Sequence, residues 1–306
     1  PMLTRAVTHR SFPLFYKIVQ RKDRLMKKRL LTAAIGVTLA VGWLFTMYTP
    51  IYSAVMSIIS MIATYEMLKV YEIKNIVFKI LCLASSACVV LYADYKSKLN
   101  LSLFPVITAF VLLCLIIMVI DHKKLPFQNV VCAMFSATLI PASLSCVVLF
   151  RDIYLLDGKD FTKSDGVFFI LLAFLCSWLT DGFALFTGMA FGKHKLAPEI
   201  SPKKTVEGAI GGVVGNTLFC IGLYYTFKAK FNLSPTIKLW EIVICAFLLS
   251  CISIFGDLAA STIKRSHGIK DFGNILPGHG GIMDRFDSSL FVFPSLYALL
   301  VVIYHI

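Results

Sequence analysis

Apolar residues run in long unbroken blocks along this chain, and polar residues are confined to short breaks between them. The blocks predict nine helical spans, over about 30–48, 51–70, 76–93, 102–120, 127–149, 166–191, 206–227, 239–262 and 288–305. At 1.5 Å per residue, a helix of about 18 or more apolar residues crosses a hydrocarbon core of roughly 30 Å. The alternation of facing residues that a β-barrel requires is absent. The expectation is an all-α, polytopic integral membrane protein with about nine transmembrane helices.

The polar breaks orient these spans. Residues 1–29 end in KIVQRKDRLMKKR, with seven Lys/Arg between Lys17 and Arg29, and read as a basic cytoplasmic segment that fixes topology. With that end inside, 22 of the 30 Lys/Arg fall on the inner side and 8 on the outer, as the positive-inside rule requires. The segments 192–205 and 263–287 then share the cytoplasmic face, where a polar cavity is expected. The chain divides into the segment 1–29, a transmembrane scaffold over 30–165 and a catalytic transmembrane region over 166–306. Acids of the scaffold, such as Glu66, Glu72 and Asp94, lie near span ends. The outer loop RDIYLLDGKDFTKSDG reads as a solvated connector, and Pro141 as a kink in the fifth span.

Composition sharpens this picture. With 58% hydrophobic and 15% charged residues, a soluble domain is excluded. A net charge of +13 would suggest nucleic acid in a soluble protein. Here the basic residues gather at helix ends and favour anionic lipid headgroups, so no nucleic-acid partner is expected. All nine cysteines lie within apolar runs, without a CxxC pair, and read as reduced packing residues.

One stretch breaks the apolar pattern: STIKRSHGIKDFGNILPGHGGIMDRFDSS, from Ser261 to Ser289. Carboxylates also enter the spans nearby, with Asp181 mid-way along the sixth and Asp257 about a turn from the end of the eighth. A carboxylate at a helix centre costs roughly 2.5–3.5 kcal/mol on insertion scales, so it normally faces a cation, a polar group or water. Asp257, Ser261 and Lys264 follow at helical spacing and line one face, with Arg265 alongside. A carboxylate, a hydroxyl and an ammonium on one stripe can hold a metal ion and a phosphate beside it. Gly278, Gly280 and Gly281 let backbone N–H groups approach an anion closely. Hard oxygen ligands favour Mg²⁺ or Mn²⁺ over zinc. His279 lacks ligand partners at zinc spacing and reads as a phosphate donor or loop residue.

A companion segment, GKHKLAPEISPKKTVEGAIGGVVGN, carries matching chemistry. Ser201 before Pro202 predicts a helix N-cap followed by Pro at the first helical position. Lys203 and Lys204 would add charge for phosphate at that helix end. Glu207 could pair with a lysine or assist a metal. Gly208, Gly212, Gly211 and Gly215 form small-xxx-small spacings suited to close helix packing.

Together these residues give the chain a resemblance to the phosphatidate cytidylyltransferases, or CDP-diacylglycerol synthases. The family's form SxxKRxxxxKDFGxxLPGHGGxxDRxDS is matched from Ser261 to Ser288 without a gap, and family-like residues continue back through Lys193 to Trp178. The resemblance is carried by residues 178 to 289; over the first five spans only hydropathy is similar.

It implies the reaction CTP + phosphatidic acid → CDP-diacylglycerol + pyrophosphate, Mg²⁺ dependence with a second cation such as K⁺, and a homodimer in a lipid bilayer. A bacterial plasma membrane with the site facing the cytoplasm is the expected location. The resemblance assigns metal to Asp257 and Asp284, with Asp181 a further candidate and Asp287 supporting the metal shell. Lys264, Arg265, Lys270 and Arg285 would neutralise phosphate oxygens, and Asp271 falls in the same catalytic stretch. Ser201, Lys203, Lys204, Thr205, Glu207, Ser261, Gly278, His279, Gly280 and Gly281 would line the substrate.

Other readings remain open on the residues alone. They are a CTP-using polyprenol kinase and an ion-coupled transporter. A CDP-alcohol phosphotransferase is disfavoured, because its DGxxAR start is met only as DGFALF at Asp181.

Overall fold

The computed structural model describes residues 34–99, 102–156, 158–276, 278 and 280–305. The basic segment 1–29 and His279 lie outside the described residues. The chain is built from helices α1 (Ala34–Phe45), α2 (Pro50–Val70), α3 (Ile76–Leu99), α4 (Leu103–Ile120) and α5 (Phe127–Arg151), followed by α6 (Lys163–Phe191). A hairpin of β1 (Lys195–Ala197) and β2 (Ser201–Thr205) leads into α7 (Val206–Lys230) and α8 (Leu239–Ser266). The short α9 (Met283–Phe286) and α10 (Ser289–Tyr304) close the chain.

Among the described residues, seven helical stretches are long and apolar enough to cross a membrane: α2, α3, α5, α6, α7, α8 and the run Met283–Tyr304. The first and fourth expected spans are represented by the shorter apolar helices Ala34–Phe45 and Phe104–Ile120. Large apolar side chains stand exposed on outer helix faces, among them Phe45, Ile80, Phe104, Ile120, Leu218 and Val302. An apolar exterior on this scale matches hydrocarbon rather than water as the surrounding medium. This is the architecture of a polytopic helical membrane protein.

Local sequence explains the helix ends. Pro50 opens α2 after Thr49. Thr162 and Asp165 form a reciprocal capping box on α6, and the other Asp165 oxygen accepts from Ser234 N at 3.0 Å. Helices α2, α3 and α5 pack on one another, as do α6, α7 and α8, while α10 lies against α5, α6 and α8. Buried hydroxyls bind α2 to α3, with Ser60 and Thr64 reaching Ser86 at 2.7 and 2.9 Å. The α6–α7 contact is a glycine seam, as the spacing predicts. A Cβ at Gly212 would stand 2.7 Å from Thr180 O, and one at Gly208 2.7 Å from Ala184 O.

Two expectations are corrected. The segment expected to open a helix at Ser201 and Pro202 is instead the second strand of the hairpin. Helix α7 starts four residues later, where Thr205 Oγ1 accepts from Gly208 N at 3.1 Å and supplies the cap. A cap needs both an extended residue and a free donor ahead of it, and Thr205 meets both conditions. The loop after α5 is also no mere solvated connector. Arg151 is buried and bonded to Asp94 and Asp152, and Ile153 and Asp165 are buried too.

Candidate active site

The charged residues of the C-terminal half converge from separate elements. Helix α6 carries Asp181, β2 carries Lys204, α8 carries Asp257 and Lys264, and the α9 turn carries Asp284 and Arg285, with Asp287 after it. Lys204 Nζ lies 2.5 Å from Asp257 Oδ2 and 3.3 Å from Asp181 Oδ1. Lys264 Nζ lies 3.0 Å from Asp284 Oδ1 and 3.5 Å from Asp287 Oδ2. The two groups communicate, because Asp287 feels repulsion from both Asp257 and Asp181. Arg285 contributes an attractive field at Asp181. Four carboxylates and two ammonium groups therefore form one electrostatic unit.

Lys204 shows how the balance falls. Burial opposes its charged form, yet Asp181 and Asp257 outweigh burial and raise its pKa above the ordinary lysine value. Lys264 is more enclosed, and its ammonium also sits over the Phe272 ring at 5.0 Å from the centroid.

Asp284 organises the glycine-rich loop. Its Oδ2 accepts from Phe272 N at 2.8 Å and Gly281 N at 2.9 Å, and Oδ1 takes the Lys264 proton donor. Gly280 adopts a φ of 85°, and a Cβ there would meet Asp284 Oδ2 at 2.8 Å. Both position and chemistry thus demand glycine at 280.

Several sequence candidates, Arg285 among them, stand exposed outside the paired cluster. Arg265, Lys270, Asp271, Arg285 and Lys203 are exposed, and Arg265 donates to Ile269 O at 3.1 Å. Ser261 is half-buried on α8, and Ser201 half-buried on β2. Thr205 is buried as the α7 cap, against the positions of Gly188, Gly192 and Gly208. Glu207 accepts from Lys193 N and His194 N and meets His194 Nδ1 at 2.6 Å, so it fastens the entry of the hairpin to the first turn of α7.

Among the described residues no group of three His, Cys, Asp or Glu is disposed to hold a metal ion. The donor set is nonetheless of the kind Mg²⁺ takes, hard carboxylate oxygens without thiolate or imidazole. The hydroxyls of Ser288 and Ser289, adjoining Asp287, are buried without a hydrogen-bond partner, which marks this end of the site as unsatisfied.

Residues 27–303 match the cytidylyltransferase family. The chain belongs to that family. The phosphatidate cytidylyltransferase of Staphylococcus haemolyticus is 48% identical over 140 residues, which cover 46% of this chain and 52% of that protein. Those of Staphylococcus saprophyticus and Staphylococcus aureus are 49% and 46% identical over the same length. The chain spans about half the length of the curated relatives it matches, 52% in each case.

Two contacts to the site carry little signal in the local sequence. Trp178 Nε1 donates to Arg285 O at 3.1 Å and ties α6 to the α9 turn. Glu66, expected as a scaffold acid near a span end, is 3% exposed and accepts from Ile282 N and Met283 N. Its only local signal was a carboxylate within an apolar helix.

Proposed function

We propose that this cytidylyltransferase transfers the cytidylyl group of CTP to phosphatidic acid, giving CDP-diacylglycerol and pyrophosphate. The observation that carries the reading is the alternation of Lys204 and Lys264 among Asp181, Asp257, Asp284 and Asp287, brought together from α6, β2, α8 and the α9 turn. The names of its relatives favour the same chemistry.

A phosphate oxygen of phosphatidic acid attacks the α-phosphorus of CTP. The new P–O bond forms as the bond to the bridging oxygen breaks, and pyrophosphate leaves with the electron pair. That nucleophile is already ionised near neutral pH, so no strong general base is needed. The difficulty is bringing two polyanions together and stabilising charge as it moves to the leaving group. Exposed Lys203, Arg265, Lys270 and Arg285 receive incoming phosphates, with Asp271 among them, and Lys204 and Lys264 meet them deeper in the site. Gly278 and Gly280 offer backbone N–H groups to phosphate, with the hydroxyls of Ser201 and Ser261 as further donors, while Gly281 N–H is held by Asp284. Thr205 and Glu207 act by fixing the hairpin that presents Lys204.

Mg²⁺, with a second cation such as K⁺, would neutralise triphosphate oxygens as a Lewis acid. Asp257, Asp181 and Asp287 are the carboxylates to hold it. Asp284 is the further candidate, although Lys264 and the loop N–H groups already engage its two oxygens.

The catalytic region is 166–306, resting on the scaffold 30–165. The wider assembly is a homodimer in a bacterial inner membrane, each chain with about nine membrane spans and a polar cavity open to the cytoplasm.

The test is purified full chain in lipid nanodiscs with labelled CTP and phosphatidic acid, with and without Mg²⁺. The expected products are CDP-lipid and pyrophosphate, formed only with the metal. Folded protein yielding phospholipid and CDP, or no CDP-lipid, would overturn the reading.

A further inference from the structure

The glycine-rich loop between α8 and α9 is met at both ends by α2 and its C-cap residue Tyr71, from the opposite half of the chain. At the loop's start, His267 meets the Tyr71 ring edge-on, with centroids 5.4 Å apart. At its end, Glu66 accepts from Ile282 N at 3.1 Å through Oε1 and from Met283 N at 2.8 Å through Oε2. The loop folds directly over this carboxylate. A Cβ at Gly273 would stand 2.1 Å from Oε1, and one at Gly281 2.4 Å from Oε2. On the loop's other side Asp284 holds Phe272 N and Gly281 N. Gly281 is therefore fixed between two buried carboxylates from different halves of the chain.

We propose that Glu66 is a positioning residue for cytidylyl transfer, setting the loop backbone and through it Asp284 and Arg285; this rests on the proposed function. Packing alone would favour an apolar side chain at 66, because burying a carboxylate in a membrane helix costs energy unless its oxygens are occupied. Both oxygens are occupied by backbone donors that directly precede Asp284. Bonds of that kind fix a register that apolar contact leaves loose. The loop's N–H groups and Arg285 must meet phosphate oxygens to within a fraction of an ångström, and a misplacement of about 1 Å can cost about 100-fold in rate.

The experiment uses the full chain in nanodiscs as wild type, Glu66→Gln and Glu66→Asp. It measures thermal unfolding, kcat and KM for CTP, and amide exchange across residues 268–283. Gln keeps the shape but turns an NH₂ toward one of the two donors. Expected for Glu66→Gln are a folded protein, faster loop exchange and kcat reduced about 10- to 100-fold. KM for CTP should move less than about threefold, and Glu66→Asp should regain part of kcat.

A folded Glu66→Gln with wild-type kcat, or a loss matched by the unfolded fraction, overturns the proposal. Should Glu66→Gln not fold, Gly273→Ala displaces Oε1 with the carboxylate retained, and wild-type kcat in that folded variant is equally decisive against it. A wild type that makes no CDP-lipid while loop exchange still responds to Glu66→Gln counts against the assigned reaction. Unchanged exchange counts against the clamp itself.

Discussion

Lys204 Nζ, carried on a two-stranded hairpin, lies 2.5 Å from Asp257 Oδ2 on α8 and bridges onward to Asp181 on α6. One ammonium thus joins three elements that share no local sequence. Its position depends on the hairpin, which Glu207 fastens to the first turn of α7. The arrangement stores positive charge among carboxylates that would otherwise repel one another.

Asp257→Asn should separate chemistry from folding. The side chain is partly exposed and keeps its shape, so the thermal midpoint should move by only roughly 3 °C. On the proposed function, turnover of CTP should fall at least about 100-fold, because the charge assigned to organising the phosphates is lost. Near-wild-type CDP-lipid formation in the folded variant would remove Asp257 from the site.

Asp284→Asn should behave differently, because this carboxylate is buried and bonded to Lys264, Phe272 N and Gly281 N. Breaking a buried pair while leaving its partner in place costs about 3–5 kcal/mol. Denaturation of the purified variant should therefore show lost stability together with lost turnover. A variant as stable as wild type would show that the loop is held by other contacts.

The raised pKa of Lys204 fixes the sign of a pH effect. A group whose folded pKa is raised contributes stability that is complete below its unfolded value, about 10.4 for lysine, and is lost as pH climbs through the folded value. The stability difference between wild type and Lys204→Gln should stay constant from pH 7 to about 10 and shrink above that. Thermal unfolding across this range measures it. A difference that changes between pH 6 and 8 would point to another titrating group.

Gly212→Val should injure the α6–α7 seam without touching the chemistry. Its Cβ would stand 2.7 Å from Thr180 O, a backbone atom that cannot rotate away. Overpacking of this kind costs about 1–3 kcal/mol. Activity per folded molecule should be preserved, as an active-site titration against folded protein would reveal.

The loop's glycines, lysines and aspartates were legible in the sequence because they stand together in a chain that otherwise excludes charge. Helix α8 carried Asp257 and Lys264 on one face, as their spacing predicts, yet the two bond to different partners. The stripe gave the residues but not the pairing. Ser201 differs from its expected place because a Ser-Pro pair has the same local form at a helix start and in a strand, and only pairing with β1 distinguishes them.

The sequence by itself determined the helices, the break in their apolar pattern and the chemical character of that break. Each of these follows from local periodicity, propensity and the energy of placing charge in hydrocarbon. Tertiary structure alone decided that Lys204 meets Asp257 and that Glu66 meets Met283 across 217 positions of chain. Such contacts depend on how helices pack around one another, and packing joins residues whose local sequences carry no record of their partners.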